Sequence, residues 1–206
     1  MDAPEALLKE GLEALKIPFT ENQISSFLIY LSELKKWSRA YNLTALKTDS
    51  DIVIKHFLDS LLFLKVLPED TRTAADVGSG AGFPGIPVKI MRPDITLFLV
   101  EPTQKKTLFL RHVCSRLGLQ HVEIMNNRIE DVRDLKVDAA MTRALFSVPE
   151  FIQKAKGMLN KNGVLILSKG PKLDDELKGL EAADIEVTDI ILPIENIERH
   201  MVVVRG

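Results

Sequence analysis

Asp76-Val77-Gly78-Ser79-Gly80-Ala81-Gly82-Phe83-Pro84-Gly85 follows directly on the apolar run 73–77 and opens a helical pattern. A glycine-rich turn at a strand–helix junction lets the chain reverse tightly and lets a ligand approach the backbone closely. Spacing separates the ligand classes. A dinucleotide-binding turn places its third glycine five residues after the first, and that position is Phe83; here the third glycine is Gly82. A P-loop needs Gly-Lys-Ser/Thr, which does not follow. The pattern is therefore Gly-x-Gly-x-Gly. Glu101 ends the next apolar run, 23 residues after Gly78, where a carboxylate can accept from both hydroxyls of a ribose.

Outward from this turn, short apolar β-branched runs at 73–77, 95–100, 122–125, 137–141, 164–168, 185–192 and 201–204 alternate with helical patterns. The helices are expected at 87–91, 104–117, 149–159 and 172–183. Such alternation predicts an α/β fold with a parallel, doubly wound sheet. Only residues 193–200 separate the last two runs, too few for the crossover that parallel neighbours need. The expectation is a seven-stranded, mostly parallel sheet closed at one edge by an antiparallel hairpin.

Residues 1–72 read differently. Thr20 and Gln23 have capping-box spacing, and Ile24, Phe27, Leu28, Leu31 and Leu34 follow at helical intervals. A further helix is expected over about 49–65, where Val53, Phe57, Leu58, Leu61 and Leu62 form a stripe closed by Pro68. With 9 basic and 11 acidic residues, this segment reads as a helical cap on the main domain rather than a nucleic-acid arm. The expected organisation is an N-terminal helical extension, 1–72, and a Rossmann-like domain, 73–206.

Composition narrows the function classes. With 46% hydrophobic residues, the chain can bury a core and is not a disordered segment. Its net charge of −2 supplies no global field for nucleic acid, so any such partner must be gripped locally. The single Cys114 cannot form an internal disulfide, which suits a reducing compartment. The acidic start lacks the apolar core of a signal peptide, and no uncharged apolar run approaches the roughly 20 residues of a membrane helix. These features predict a cytoplasmic protein without a membrane or metal partner, expected to act as a monomer.

The Gly-x-Gly-x-Gly turn with Glu101 resembles the class I S-adenosylmethionine-dependent methyltransferases. Further segments sharpen the likeness: Asn42-Leu43-Thr44, His56-Phe57-Leu58-Asp59-Ser60-Leu61, Pro84-Gly85-Ile86-Pro87 and Lys105-Lys106 with Phe109-Leu110. Asn127-Arg128-Ile129-Glu130, Thr142-Arg143-Ala144 and Ser168-Lys169-Gly170 complete it. From about Asn42 to Gly206 the chain resembles the RsmG (GidB) family, bacterial methyltransferases of a guanine N7 in 16S ribosomal RNA. The resemblance implies S-adenosyl-L-methionine as cofactor and 16S ribosomal RNA, or a small-subunit assembly particle, as partner. It implies donor contacts at Gly78, Phe83, Ile129, Glu130 and Arg143. Glu101 stands where some members carry Asp, and either carboxylate can hold a ribose.

The residues add their own chemistry to that expectation. A sulfonium donor is cationic, which makes Asp76 and Glu130 candidate neighbours beside Gly80, Gly82 and Glu101. Asp76 has a plain alternative, a structural acid bonded to loop amides. Arg143 and Lys169 follow the fourth and fifth runs and should border the ligand crevice, with Arg199 joining them from the hairpin. The acid-free helix with Lys105 and Lys106 is a candidate phosphate surface or simply a solvated face. His56 and Asp59, spaced i and i+3, are expected to pair structurally. Guanine N7 carries a lone pair and no proton, so its methylation needs positioning and no base. Rival readings are a related methyltransferase of a small molecule or protein, and a non-catalytic cofactor-binding regulator.

Overall fold

A computed structural model describes residues 3–171, 173–178, 180 and 184–206. Helices α1 (Ala3–Ala14) and α2 (Glu21–Tyr41) lead into a continuous helical run over residues 49–65. That run comprises α3 (Asp49–Ile52), a π turn (Val53–Leu58), α4 (Asp59–Leu61) and a 3₁₀ turn (Leu62–Lys65). The expected single helix is thus broken by a change of hydrogen-bond spacing. The capping box of α2 forms as its spacing predicts: the Thr20 amide donates to Gln23 Oε1 at 2.8 Å, and the Gln23 amide to Thr20 Oγ1 at 3.3 Å. Asn42 ends the helix in the left-handed region, its amide donating to Ser38 O.

Then follow β1 (Thr73–Val77), α5 (Gly85–Met91), β2 (Thr96–Val100), α6 (Gln104–Arg116), β3 (Val122–Met125), β4 (Val137–Arg143), α7 (Val148–Ala155), β5 (Leu159–Lys169), α8 (Leu173–Leu177), β6 (Ile185–Leu192) and β7 (Ile197–Arg205). The strand order is β3-β2-β1-β4-β5-β7-β6, with β7 antiparallel to both of its neighbours. All seven predicted strands are present, and the chain has the class I methyltransferase fold. Two strand boundaries differ by more than two residues, and β4 runs on to take in Arg143, which was expected to follow it. Strand β7 begins at Ile197, because the hairpin registers Leu192 against Ile197; Arg199 and His200 therefore lie within the strand. Strand β5 begins at Leu159, opposite Val137, ahead of the apolar run that marked it. Of the helix expected at 172–183, α8 accounts for 173–177, and residues 172, 179 and 181–183 lie outside the described residues.

Alternate strand residues feed two cores, as a two-residue pleat requires. Ala74, Ala139, Met141, Val164 and Ile166 pack with α1, α2, α5, α6 and the 49–65 run. Ala75, Ala140, Leu165 and Leu167 pack with α7 and α8 on the other face. The N-terminal helices therefore share one core with the sheet. Phe27, Tyr30 and Leu34 of α2 are fully buried there, and truncating a side chain such as Phe27 to Ala should cost about 3–5 kcal/mol. Strand order reverses between β1 and β4, so their carboxyl ends flank the crevice where ligands bind in such sheets.

Candidate active site

The glycine turn hangs from the end of β2. Gly78 and Ser79 both donate to Val100 O, at 2.8 and 3.2 Å, and Gly82 and Phe83 both donate to Ser79 O. Gly78, Gly80 and Gly82 have φ of 73, 58 and 100°, a region that side-chain-bearing residues rarely adopt. A Cβ at Gly80 would meet nothing closer than Gly78 O at 3.9 Å, so this backbone faces open space. That space is a cleft of about 820 Å³, bordered by residues 78–81 and Phe83, by Arg143 and Ala144 at the end of β4, and by Ser168–Pro171 at the end of β5. Its remaining wall comes from residues 43–46, from Lys55, His56 and Asp59 of the helical run, and from Glu176 and Arg199. The volume lies within the range of small-molecule cofactor sites. Ser79 Oγ, on the cleft border, is buried without a hydrogen-bond partner among the described residues. A ligand bringing hydrogen-bond donors fits this cradle.

Arg143 organises the wall opposite the glycines. Its Nη1 donates to Lys55 O at 2.8 Å and to Asp59 Oδ2 at 3.0 Å, and its Nη2 donates to His56 Nδ1 at 2.9 Å. Its guanidinium lies 5.3 Å from the centroid of the Phe83 ring, and the His56 ring stacks on the same Phe83 at 4.4 Å. The π turn supplies the geometry. The Asp59 amide reaches Ile54 O and His56 O rather than Lys55 O, the partner an α-helix would use, and Lys55 O accepts from Arg143. Asp59, buried, also accepts from Arg199 Nε at 2.7 Å. Two guanidiniums share this one carboxylate, so the trio of Arg143, Arg199 and Asp59 carries a net positive charge. His56 and Asp59 do not pair with each other as their spacing suggested; each is engaged by Arg143. Both imidazole nitrogens are occupied, since Nε2 bonds to Thr44 Oγ1 at 2.7 Å. Burial, aided by the Arg143 charge, pushes the His56 pKa down to about 3.

Lys169 Nζ, at the end of β5, donates to Phe146 O at 2.9 Å and pairs with Glu176 at 2.8 Å. An ammonium has three donors, so among the described residues one remains for a ligand; Arg143 likewise keeps one Nη2–H and its Nε–H there.

The acids occupy different positions. Asp76 is fully buried at the end of β1, where its Oδ2 accepts from the Gly85 amide at 2.7 Å and Oδ1 has no partner among the described residues. Burial drives its pKa up to about 7. Glu101 sits behind the turn: Oε2 accepts from the Gly80 amide at 2.9 Å and Oε1 from the Thr103 amide at 2.8 Å. These two bonds use part of a carboxylate's acceptor capacity and leave lone pairs for a further donor. Ile129 is buried, whereas Glu130 is exposed and ion-paired with Lys154. Neither borders the cleft. On α6, Lys105 is exposed, and Lys106 Nζ lies 3.8 Å from Glu101 Oε2.

Tyr30 and Lys55 are the site residues that sequence reasoning missed. Tyr30, wholly buried in α2, donates its hydroxyl to Ala81 O and stacks on Phe83, bracing the glycine turn from beneath. Its signal was a phenol in an otherwise apolar stripe, because a buried Tyr hydroxyl requires a partner. Lys55 contributes a backbone carbonyl, for which no side-chain pattern exists.

Comparison with known proteins agrees with this geometry. Residues 23–200 match the family model described as rRNA small subunit methyltransferase G. The chain is 36% identical to the ribosomal RNA small subunit methyltransferase G of Francisella philomiragia over 205 residues, covering 100% of this chain and 99% of the relative. It is 38% identical to that of Chromobacterium violaceum over 200 residues, covering 96% and 95%. Among solved structures, a methyltransferase from Pyrococcus furiosus superposes with a TM-score of 0.62 at 16% identity, covering 86% of this chain and 96% of that one. A SAM-dependent methyltransferase from Aquifex aeolicus superposes at 0.59 and 20% identity, covering 80% and 97%. At such identities the structural likeness speaks for the fold alone; the sequence relatives speak for the family. The chain belongs to the ribosomal RNA small subunit methyltransferase G family, whose methyl donor is S-adenosylmethionine.

Proposed function

We propose that this protein methylates N7 of a guanine in 16S ribosomal RNA, presented in the small subunit or an assembling particle. The observation that carries this reading is the state of the cleft wall. Its histidine has both nitrogens engaged and a pKa near 3, so it is not poised to accept a proton. Cys114 is buried, its thiol pushed up to about 12 by burial. Guanine N7 asks for neither base nor nucleophile, because its lone pair attacks a methyl carbon directly.

S-adenosylmethionine, when bound, supplies an electrophilic methyl group on a sulfonium. The chain's own residues do the positioning. The backbone of Gly78 and Gly80 borders the cleft and gives a cofactor close approach, while Gly82, packed against Ile86 and Tyr30, shapes the turn. Tyr30 and Glu101 hold that backbone in place, and Glu101 keeps acceptor capacity toward a ribose. The free donors of Arg143 and Lys169 suit the guanine O6 and the flanking phosphates, leaving N7 unencumbered. Asp76, Ile129 and Glu130 serve this reading indirectly, as supports of the turn and its margin. Arg199 adds positive charge to the cleft border, and Lys105 and Lys106 on α6 are candidate phosphate contacts away from it. The protein's net charge of −2 favours a substrate that shape helps to hold, and this supports a particle over a short naked RNA.

Lys169→Ala tests the assignment. It should leave S-adenosylmethionine affinity within about twofold and lower single-turnover methylation of small-subunit particles by about 10–100-fold, the range of one lost charged contact. Methylation at the unaltered rate would contradict it.

A further inference from the structure

A second feature adjoins the cleft and has no part in holding the donor. A groove of about 470 Å³ runs along α2, floored by Pro4, Leu28 and Leu31 and rimmed by Lys35, Lys36 and Arg39. A smaller hollow of about 220 Å³ continues it, bordered by Ser38, Arg39, Thr44, Leu46 and Lys47. Arg39 and Lys35 belong to both, while Thr44 and Leu46 belong to the hollow and to the donor cleft. The three depressions therefore form one path from the cleft, over the 43–47 loop, onto α2.

The path is cationic. Asp49 neutralises Lys35, and Asp51 is occupied by Lys55. Among the described residues, no ion pair engages Lys36, Arg39 or Lys47, which leaves a net charge of about +3 on a protein whose total is −2. Charges near a helix C-terminus can simply offset its dipole, equivalent to about half an elementary charge. Three uncompensated cations exceed that sixfold, and Lys47 lies beyond the helix. Ser38 Oγ, in the hollow, has no hydrogen-bond partner among the described residues.

We infer that this path binds the phosphodiester backbone of the RNA strand whose target base enters the cleft. The inference rests on the RNA reading above. Charge complementarity favours a polyanion, and continuity with the cleft favours the substrate itself over an unrelated ligand. Apolar side chains beneath a basic rim suit riboses and bases lying under bound phosphates.

The test is a Lys36→Ala/Arg39→Ala/Lys47→Ala variant, all three residues being exposed. Methylation of small-subunit particles and binding of 16S RNA are measured from about 50 to 200 mM salt. The expected result is a slope of log affinity against log salt reduced by about 2, from about 0.7 for each phosphate contact on single-stranded RNA. The KM for RNA should rise at least tenfold at low salt, with kcat at saturating RNA and S-adenosylmethionine affinity unchanged. A control removes three cations at the strand starts, as Arg72→Ala/Lys136→Ala/Lys161→Ala. An unchanged slope in the α2 variant overturns the inference and leaves the patch to an acidic protein of the particle. An equal drop in the control also overturns it, as a global charge effect. Absence of RNA binding by the unaltered protein overturns the RNA reading and this inference together.

Discussion

Arg143 donates through Nη2 to Nδ1 of His56 across 2.9 Å, and that bond fixes the imidazole as its neutral Nε2–H tautomer. A guanidinium only donates, so Nδ1 must accept, and Nε2–H is left to donate to Thr44 Oγ1. Protonating the ring would break the contact and set two cations side by side. Single-turnover methyl transfer at saturating RNA and cofactor should therefore be flat from about pH 6 to 9. A proton-transfer group would impose a limb worth about 10²–10⁴-fold. His56→Ala should change the height of the profile through Arg143 and leave its shape flat. A log-linear rise with pH that His56→Ala abolishes would establish base catalysis instead.

Gly80→Val should abolish S-adenosylmethionine binding, by at least about 100-fold, in a protein that still folds. Gly80 has φ 58°, where a β-branched residue is strained, and its Cβ would project into the open cleft. The Gly80 amide bond to Glu101 would be disturbed as well. Calorimetric titration beside a circular dichroism spectrum checks this; full affinity in a folded variant contradicts it.

Tyr30→Phe keeps the aromatic stack on Phe83 and removes the hydroxyl that satisfies Ala81 O. A buried carbonyl left without its donor costs about 1–3 kcal/mol, read by denaturant unfolding. Because Ala81 lies inside the glycine turn, cofactor affinity should fall with it, by about 5–20-fold. Unchanged affinity would show that the turn holds its shape without this brace.

Asp76 makes stability depend on pH in a defined direction. Its folded pKa of about 7 stands above its ordinary 3.8, so the native state holds this proton where the unfolded chain has lost it. The corresponding stability is complete below about pH 3.8 and is lost as pH rises through 7. Asp76→Asn keeps an oxygen for the Gly85 amide and does not titrate. Its melting temperature relative to the unaltered protein should rise between pH 4 and 7 and level off above. His56, whose folded pKa is depressed, acts oppositely but is common to both proteins and cancels. A difference independent of pH would contradict the assignment.

Local signals carried the fold a long way. The Thr20–Gln23 cap, the seven apolar runs and the short link before the last strand each rest on neighbours in sequence, and each is present in the structure. The Gly-x-Gly-x-Gly turn likewise announced the cleft. What the sequence left illegible depends on tertiary partners. No pattern within residues 53–58 marks a π turn, because its spacing suits the position of Arg143, 84 residues beyond Asp59. The i, i+3 spacing of His56 and Asp59 suggested a mutual pair, yet two guanidiniums from β4 and β7 claim Asp59. Glu101 also spends two bonds on the Gly80 and Thr103 amides, a local role that linear spacing does not express.

The most direct test of the central claim is nucleoside analysis of 16S ribosomal RNA before and after incubation with the purified protein and S-adenosylmethionine. Small-subunit particles from cells lacking the protein serve as substrate, and mass spectrometry identifies and locates the product. The account predicts a gain of one 7-methylguanosine per particle at a single position, absent without the protein. A methyl group on another atom or base, or no transfer to the RNA, would contradict it.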